Sequence, residues 1–116
     1  MPARVLVVED SAAVRGLIVM ILERAGHQVI PVSDASSALT AVGSLATLDL
    51  VICDVHLHGQ SGIGLGDRLR EKVPGLKILY MSGQIVHAPL PDDSAFMLKP
   101  FRPEALVAKV KEMTGG

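Results

Sequence analysis

Short apolar runs alternate with amphipathic stretches along the whole chain. Arg4–Val8 is Val-rich and continuous, the pattern of a strand buried on both faces. Ser11 is placed to cap a helix in which Val14, Leu17, Ile18, Ile21, Leu22 and Ala25 recur at helical spacing, and Gly26 ends it. Gln28–Val32 reads as a second strand. A helix from about Asp34 to Val42 turns Ala38, Leu39 and Val42 inward. Residues 49–53 form a third strand, and 55–62 a polar, Gly-containing loop. Residues 63–73 form a third helix that ends before the Pro74-Gly75 turn. Residues 77–81 and 95–98 supply a fourth and a fifth strand. Pro103 suits the first turn of a last helix reaching about Met113. This alternation predicts an α/β fold with a parallel sheet. Residues 84–94 break the rhythm. A parallel crossover usually takes a dozen or more residues as a helix, and Pro89 and Pro91 interrupt this one. A single turn or an irregular loop is expected there.

Composition narrows the classes. A length of 116 residues allows one domain, residues 1–116, and no repeat or linker divides it. The chain is 49% apolar but only 3% aromatic, so Val, Leu, Ile and Ala must fill the core. A formal net charge of −1 gives no electrostatic case for nucleic acid. The lone Cys53 cannot form an internal disulfide. No apolar stretch reaches membrane-spanning length and no signal peptide is visible, so a cytoplasmic protein is expected.

Three of the apolar runs stop at charged residues: Glu9-Asp10, Asp54, and Lys99-Pro100. As parallel strands they end on one edge of one sheet, where open α/β sheets bind ligands. Two carboxylates about 4 Å apart repel by roughly 4 kcal/mol at an effective dielectric near 20. A divalent cation relieves this, and a site of few carboxylates and several waters suits Mg²⁺. A carboxylate facing Mg²⁺ is also a nucleophile toward phosphorus, a reaction that needs positioning and charge neutralisation more than a base. Lys99 and Ser82, both at strand ends, can hold the remaining phosphoryl oxygens.

The ordered set Glu9-Asp10, Asp54, Gly62, Ser82-Gly83 and Lys99-Pro100-Phe101 resembles the receiver domain of two-component response regulators, over essentially the whole chain. The resemblance implies a flavodoxin-like, doubly wound five-stranded parallel sheet of order 2-1-3-4-5. It implies that Asp54 accepts a phosphoryl group from a histidine kinase or a histidine phosphotransfer protein. Asp10 would bind Mg²⁺ directly and Glu9 mainly through water, with Asp54 and the backbone carbonyl of His56 completing the protein ligands. Ser82 would bond the phosphoryl group and Lys99 would pair with it, next to a cis Lys99–Pro100 peptide. Phe96 falls at the aromatic switch position, and His56 and Gln84 at positions that tune self-dephosphorylation. The output would be a downstream protein or another domain of a parent chain, with no contact to nucleic acid or membrane by this domain.

The chain also departs from the family pattern. His58 stands where a proline is usual, which predicts a looser loop. Ser82 replaces the commoner Thr and keeps the hydroxyl. The short 84–94 segment removes most or all of the fourth helix, a feature similar to receivers at the ends of hybrid sensor histidine kinases; a free-standing regulator is the other reading.

Plainer readings stand beside these. Asp54 can be a solvated strand end, Lys99 an exposed lysine before a turn, and Ser82-Gly83 an ordinary turn pair. Phe96 reads equally as core or as switch. His56 and His58 read as loop histidines, since no third metal ligand is near them in the chain. Cys53 reads as a small buried hydrophobe, pointing away from the Asp54 side by strand alternation. Gly62-Ile-Gly64-Leu-Gly66 has the wrong spacing and context for a dinucleotide loop. The charges of 68–72 read as a solvated helix face. Among competing functions, a Mg²⁺-dependent phosphatase with an Asp nucleophile wants a second Asp where His56 stands. A non-phosphorylated interaction module has no use for the acidic, hydroxyl and amine set, and a flavodoxin relative would need a phosphate-cradling loop after the first strand.

Overall fold

The computed structural model describes residues 2–86, 90 and 93–115. Its strands are β1 (Arg4–Val8), β2 (Gln28–Val32), β3 (Leu50–Asp54), β4 (His56–Leu57), β5 (Gln60–Ser61), β6 (Ile78–Ser82) and β7 (Ser94–Leu98). Its helices are α1 (Ala12–Arg24), α2 (Ala35–Ser44), α3 (Gly62–Lys72) and α4 (Pro103–Thr114). Five strands form one parallel sheet in the order β2-β1-β3-β6-β7, the order the resemblance implies.

The sheet separates two apolar layers. Leu6, Val51, Cys53, Ile78 and Tyr80 face α2 and α3, meeting Ala38, Val42, Leu65 and Leu69. Val5, Val7, Leu50, Ile52, Leu79 and Met81 face α1 and α4, meeting Ile18, Ile21, Leu22, Leu106 and Val110. The central strands are thus covered on both faces, which is why they read as unbroken apolar runs. Pro31 sits in β2, an edge strand of the sheet, where a missing N–H costs no ladder bond on the open side. Ser11 and Asp34 cap α1 and α2 through Val14 N and Ser37 N.

Several expectations need correction. Leu17 is 42% exposed, and Ala25 is exposed at the C-cap. Ile18, Ile21 and Leu22 of α1 are buried in the layer on the sheet, with Val14 packed partly buried against it; Leu17 and Met20 instead line a groove between α1 and α4. The 55–62 segment is not a plain loop. It holds the antiparallel β4–β5 ribbon, closed by His58 (φ 46°) and Gly59 (φ 79°). Positive φ at both central residues is what a tight two-residue hairpin turn requires. Leu57 of this segment is buried in the α2–α3 layer. Arg70 leaves the solvated face of α3: its guanidinium donates to Tyr80 Oη (3.4 Å) and to Ser94 Oγ. In 84–94, residues 84–86, 90 and 93 are not helical; residues 87–89, 91 and 92 lie outside the described residues. Strands β3 and β6 run one residue further than expected, so Asp54 and Ser82 are strand residues.

Candidate phosphoacceptor site

The carboxyl ends of β1, β3 and β7 bring four of the expected residues together. Glu9 follows β1 and is held there by its N–H to the Val32 carbonyl (3.1 Å). Asp54 ends β3, and Val55 N–H donates to the Met81 carbonyl (2.9 Å). Lys99 follows β7, its N–H on the Ser82 carbonyl (2.7 Å), and the Lys99–Pro100 peptide is cis. Lys99 Nζ then donates to Glu9 Oε1 at 2.6 Å and to Asp54 Oδ2 at 2.7 Å. Glu9, Asp10 and Asp54 each offer a carboxylate oxygen within 4.8 Å of the others.

Main-chain donors hold one oxygen of each carboxylate. Glu9 Oε2 accepts from Ser11 N (3.1 Å), Asp54 Oδ1 from His56 N (3.0 Å), and Asp10 Oδ2 from His58 N (3.0 Å). Gly62 opens α3 against this loop. Its N–H donates to the Val55 carbonyl (2.6 Å), and a Cβ at this position would run into the Asp54 carbonyl oxygen. A side chain at 62 would therefore displace the backbone that carries Asp54.

The charges are unequal. Burial pushes the Glu9 carboxyl above its ordinary range, outweighing the pull of the Lys99 and Ser11 hydrogen bonds. Burial also disfavours the Lys99 ammonium, but its hydrogen bonds to Asp54 and Glu9, with their charges, win and hold it above its ordinary value. The His58 N–H keeps Asp10 below the usual carboxylate range. The Lys99 ammonium thus pairs with two of the three clustered carboxylates, Glu9 and Asp54. An all-oxygen set with excess negative charge fits a hard divalent cation.

The side chains of the other expected residues make no hydrogen bond to the side chains of the cluster among the described residues. Ser82 is buried at the end of β6, and its Oγ accepts from Gln84 N (3.1 Å). Phe96 is half-buried, across from Tyr80 in the β6–β7 register, and packs on the α2–α3 layer. The side chains of His56 and Gln84 are exposed. Cys53 points into the α2–α3 layer as expected, and its thiol donates to the Asp54 carbonyl (3.3 Å). Sequence reasoning missed Arg15, whose Nη1 donates to the Glu9 carbonyl (2.8 Å). It also missed the ribbon, although His58-Gly59 between two short extended segments is a hairpin signal.

The family model of the response regulator receiver domain matches residues 5–111. The chain belongs to that family. As a receiver domain it is a phosphoacceptor module of two-component signalling. It is 34% identical over 116 residues to the DNA-binding response regulator MtrA of Mycobacterium tuberculosis, covering 96% of this chain and 50% of that protein. It is 35% identical over 115 residues to the uncharacterized transcriptional regulatory protein YrkP of Bacillus subtilis, covering 95% and 48%. The receiver thus spans about half the length of the curated relatives it matches. Among solved structures, the receiver domain of the hybrid histidine kinase CckA superposes with a TM-score of 0.85 at 28% identity, covering 96% of this chain and 98% of that one. A receiver protein from Sinorhizobium medicae gives 0.87 at 26%, covering 99% and 96%. Among the described residues, no helix is long and apolar enough to cross a membrane.

Proposed function

We propose that Asp54 is the phosphoacceptor, that Lys99 and Ser82 bind the transferred group, and that Glu9, Asp10, Asp54 and the His56 carbonyl hold Mg²⁺. The observation that carries this reading is the position of the Lys99 ammonium, within hydrogen-bond distance of both Glu9 and Asp54 beside the acidic cluster. When bound, Mg²⁺ supplies charge neutralisation for the cluster and for the phosphoryl oxygens. An Asp54 oxygen forms a bond to phosphorus as the P–N bond of a phosphohistidine breaks. The electron pair goes to the departing imidazole, which takes up a proton. Lys99 moves from a carboxylate pair to the new phosphoryl oxygens. Ser82 turns its hydroxyl toward them, and Phe96 turns inward beside Tyr80 to report the change.

In this reading the donor is a histidine kinase or a histidine phosphotransfer protein. The receiver of the signal is a downstream protein or another domain of a parent chain. The domain modifies itself instead of turning over a separate substrate, and it works in the cytoplasm. His56 and Gln84, flanking the acceptor and the hydroxyl, tune the lifetime of the phosphorylated state. The test is intact mass after incubation with Mg²⁺ and a small-molecule phosphodonor. One added phosphoryl group is expected, and none in Asp54→Ala. A donor that modifies a control receiver but leaves this chain unmodified, without being consumed, overturns the assignment.

A further inference from the structure

His58 is a non-glycine residue with positive φ, at the tip of the β4–β5 ribbon. That backbone conformation turns its N–H onto Asp10 Oδ2 at 3.0 Å, across 48 positions of sequence. The ribbon is fastened at its other side by the buried Leu57 and at its base by the Gly62 N–H to the Val55 carbonyl. Asp10 itself follows β1 on a partly exposed turn, and its side chain has no ion pair with Lys99 among the described contacts. Repulsion from Glu9 and Asp54 favours swinging that side chain out toward water. The His58 N–H opposes this, because it holds one Asp10 oxygen at the cluster.

We infer that the main-chain N–H of His58 is a positioning group that keeps Asp10 turned toward the acidic cluster ready for the cation. The inference rests on the metal site proposed above. A proline at 58 has no N–H and its φ is locked near −65°, so it can neither donate this bond nor adopt this turn. The His58 imidazole Nδ1 also lies 3.9 Å from the same Asp10 oxygen, an exposed pair longer than the N–H bond and worth little in water; glycine removes the imidazole, keeps the N–H and tolerates positive φ. Groups that orient a metal ligand commonly account for 10–100-fold in metal affinity.

The experiment is Mg²⁺ titration by calorimetry of the native sequence, His58→Pro, His58→Gly and Asp10→Ala, each first shown to be folded by circular dichroism without metal. His58→Pro is expected to weaken binding by about tenfold, and His58→Gly to stay within about twofold of the native sequence. If His58→Pro binds as the native sequence does while Asp10→Ala loses binding, the inference fails and the site stands. If His58→Gly weakens binding as much as His58→Pro, the imidazole acts and the inference fails. If Asp10→Ala binds Mg²⁺ normally, the site proposal itself fails. Should His58→Pro not fold, amide hydrogen exchange decides. The His58 amide at this exposed tip is expected to be protected, and to lose protection in Asp10→Ala; exchange at the free-peptide rate in the native sequence overturns the inference.

Discussion

Cys53 and Asp54 are neighbours in β3, yet the pleat gives them opposite tasks. Asp54 reaches the sheet edge, while Cys53 is sealed in the α2–α3 layer. Burial, followed by the charges of Asp54 and Glu9, pushes the thiol from an ordinary 9.0 up to about 12. The unfolded chain would ionise this thiol first. Its contribution to stability is therefore full below pH 9.0 and is lost as pH rises toward about 12. Tyr80, raised by burial, adds to the loss with the same sign. Urea unfolding at about pH 8 and about pH 11 should show a fall in stability that is smaller in Cys53→Ala. Equal falls in both proteins would show that Cys53 does not carry this dependence. The same burial argues against a thiol enzyme, since the thiolate is the reactive form.

At the scale of elements, the α3 helix is fitted to β6 through a missing side chain. A Cβ at Gly66 would run into Tyr80 Oη and its ring. In an open helix a Gly→Ala change gains about 1 kcal/mol, but here overpacking should win. Gly66→Ala is expected to cost about 2 kcal/mol. Tyr80→Phe removes the hydroxyl, so the cost of Gly66→Ala in that background should fall by about 1 kcal/mol or more in a double-mutant cycle measured by urea unfolding. Strict additivity would show that the hydroxyl does not set the spacing. The same phenol accepts from Arg70, whose other arm reaches Ser94 in β7. One arginine thereby ties α3 to the strand that carries Phe96.

Over the whole molecule, the acidic cluster and Lys99 join the carboxyl ends of β1, β3 and β7. A cation that binds only the folded chain stabilises it by about 2.7 kcal/mol at about 100 times its dissociation constant. For a domain of this size that is a rise in melting temperature of about 10 °C. Thermal melts with and without Mg²⁺ should show it, and Asp10→Asn should reduce it. A melting temperature indifferent to Mg²⁺ would remove the support for a metal centre built from Glu9, Asp10 and Asp54.

The alternation of strands and helices was legible because each central strand is buried on both faces and so needs an unbroken apolar run. The ends of those runs carried Glu9, Asp10, Asp54 and Lys99 in plain view, since each apolar run gives way to a charged residue at the carboxyl edge of the sheet. The turn chemistry of Ser11, Gly26 and Pro103 was local and therefore readable. Tertiary structure alone decided that Lys99 takes Glu9 and Asp54 and not Asp10, that His58 donates to Asp10 through its main chain, and that Arg70 leaves the solvent for Tyr80 and Ser94. Those contacts join residues far apart in the chain through the twist and register of a sheet. A main-chain N–H, which every residue but proline owns, leaves no mark in a sequence to say which carboxylate it will meet.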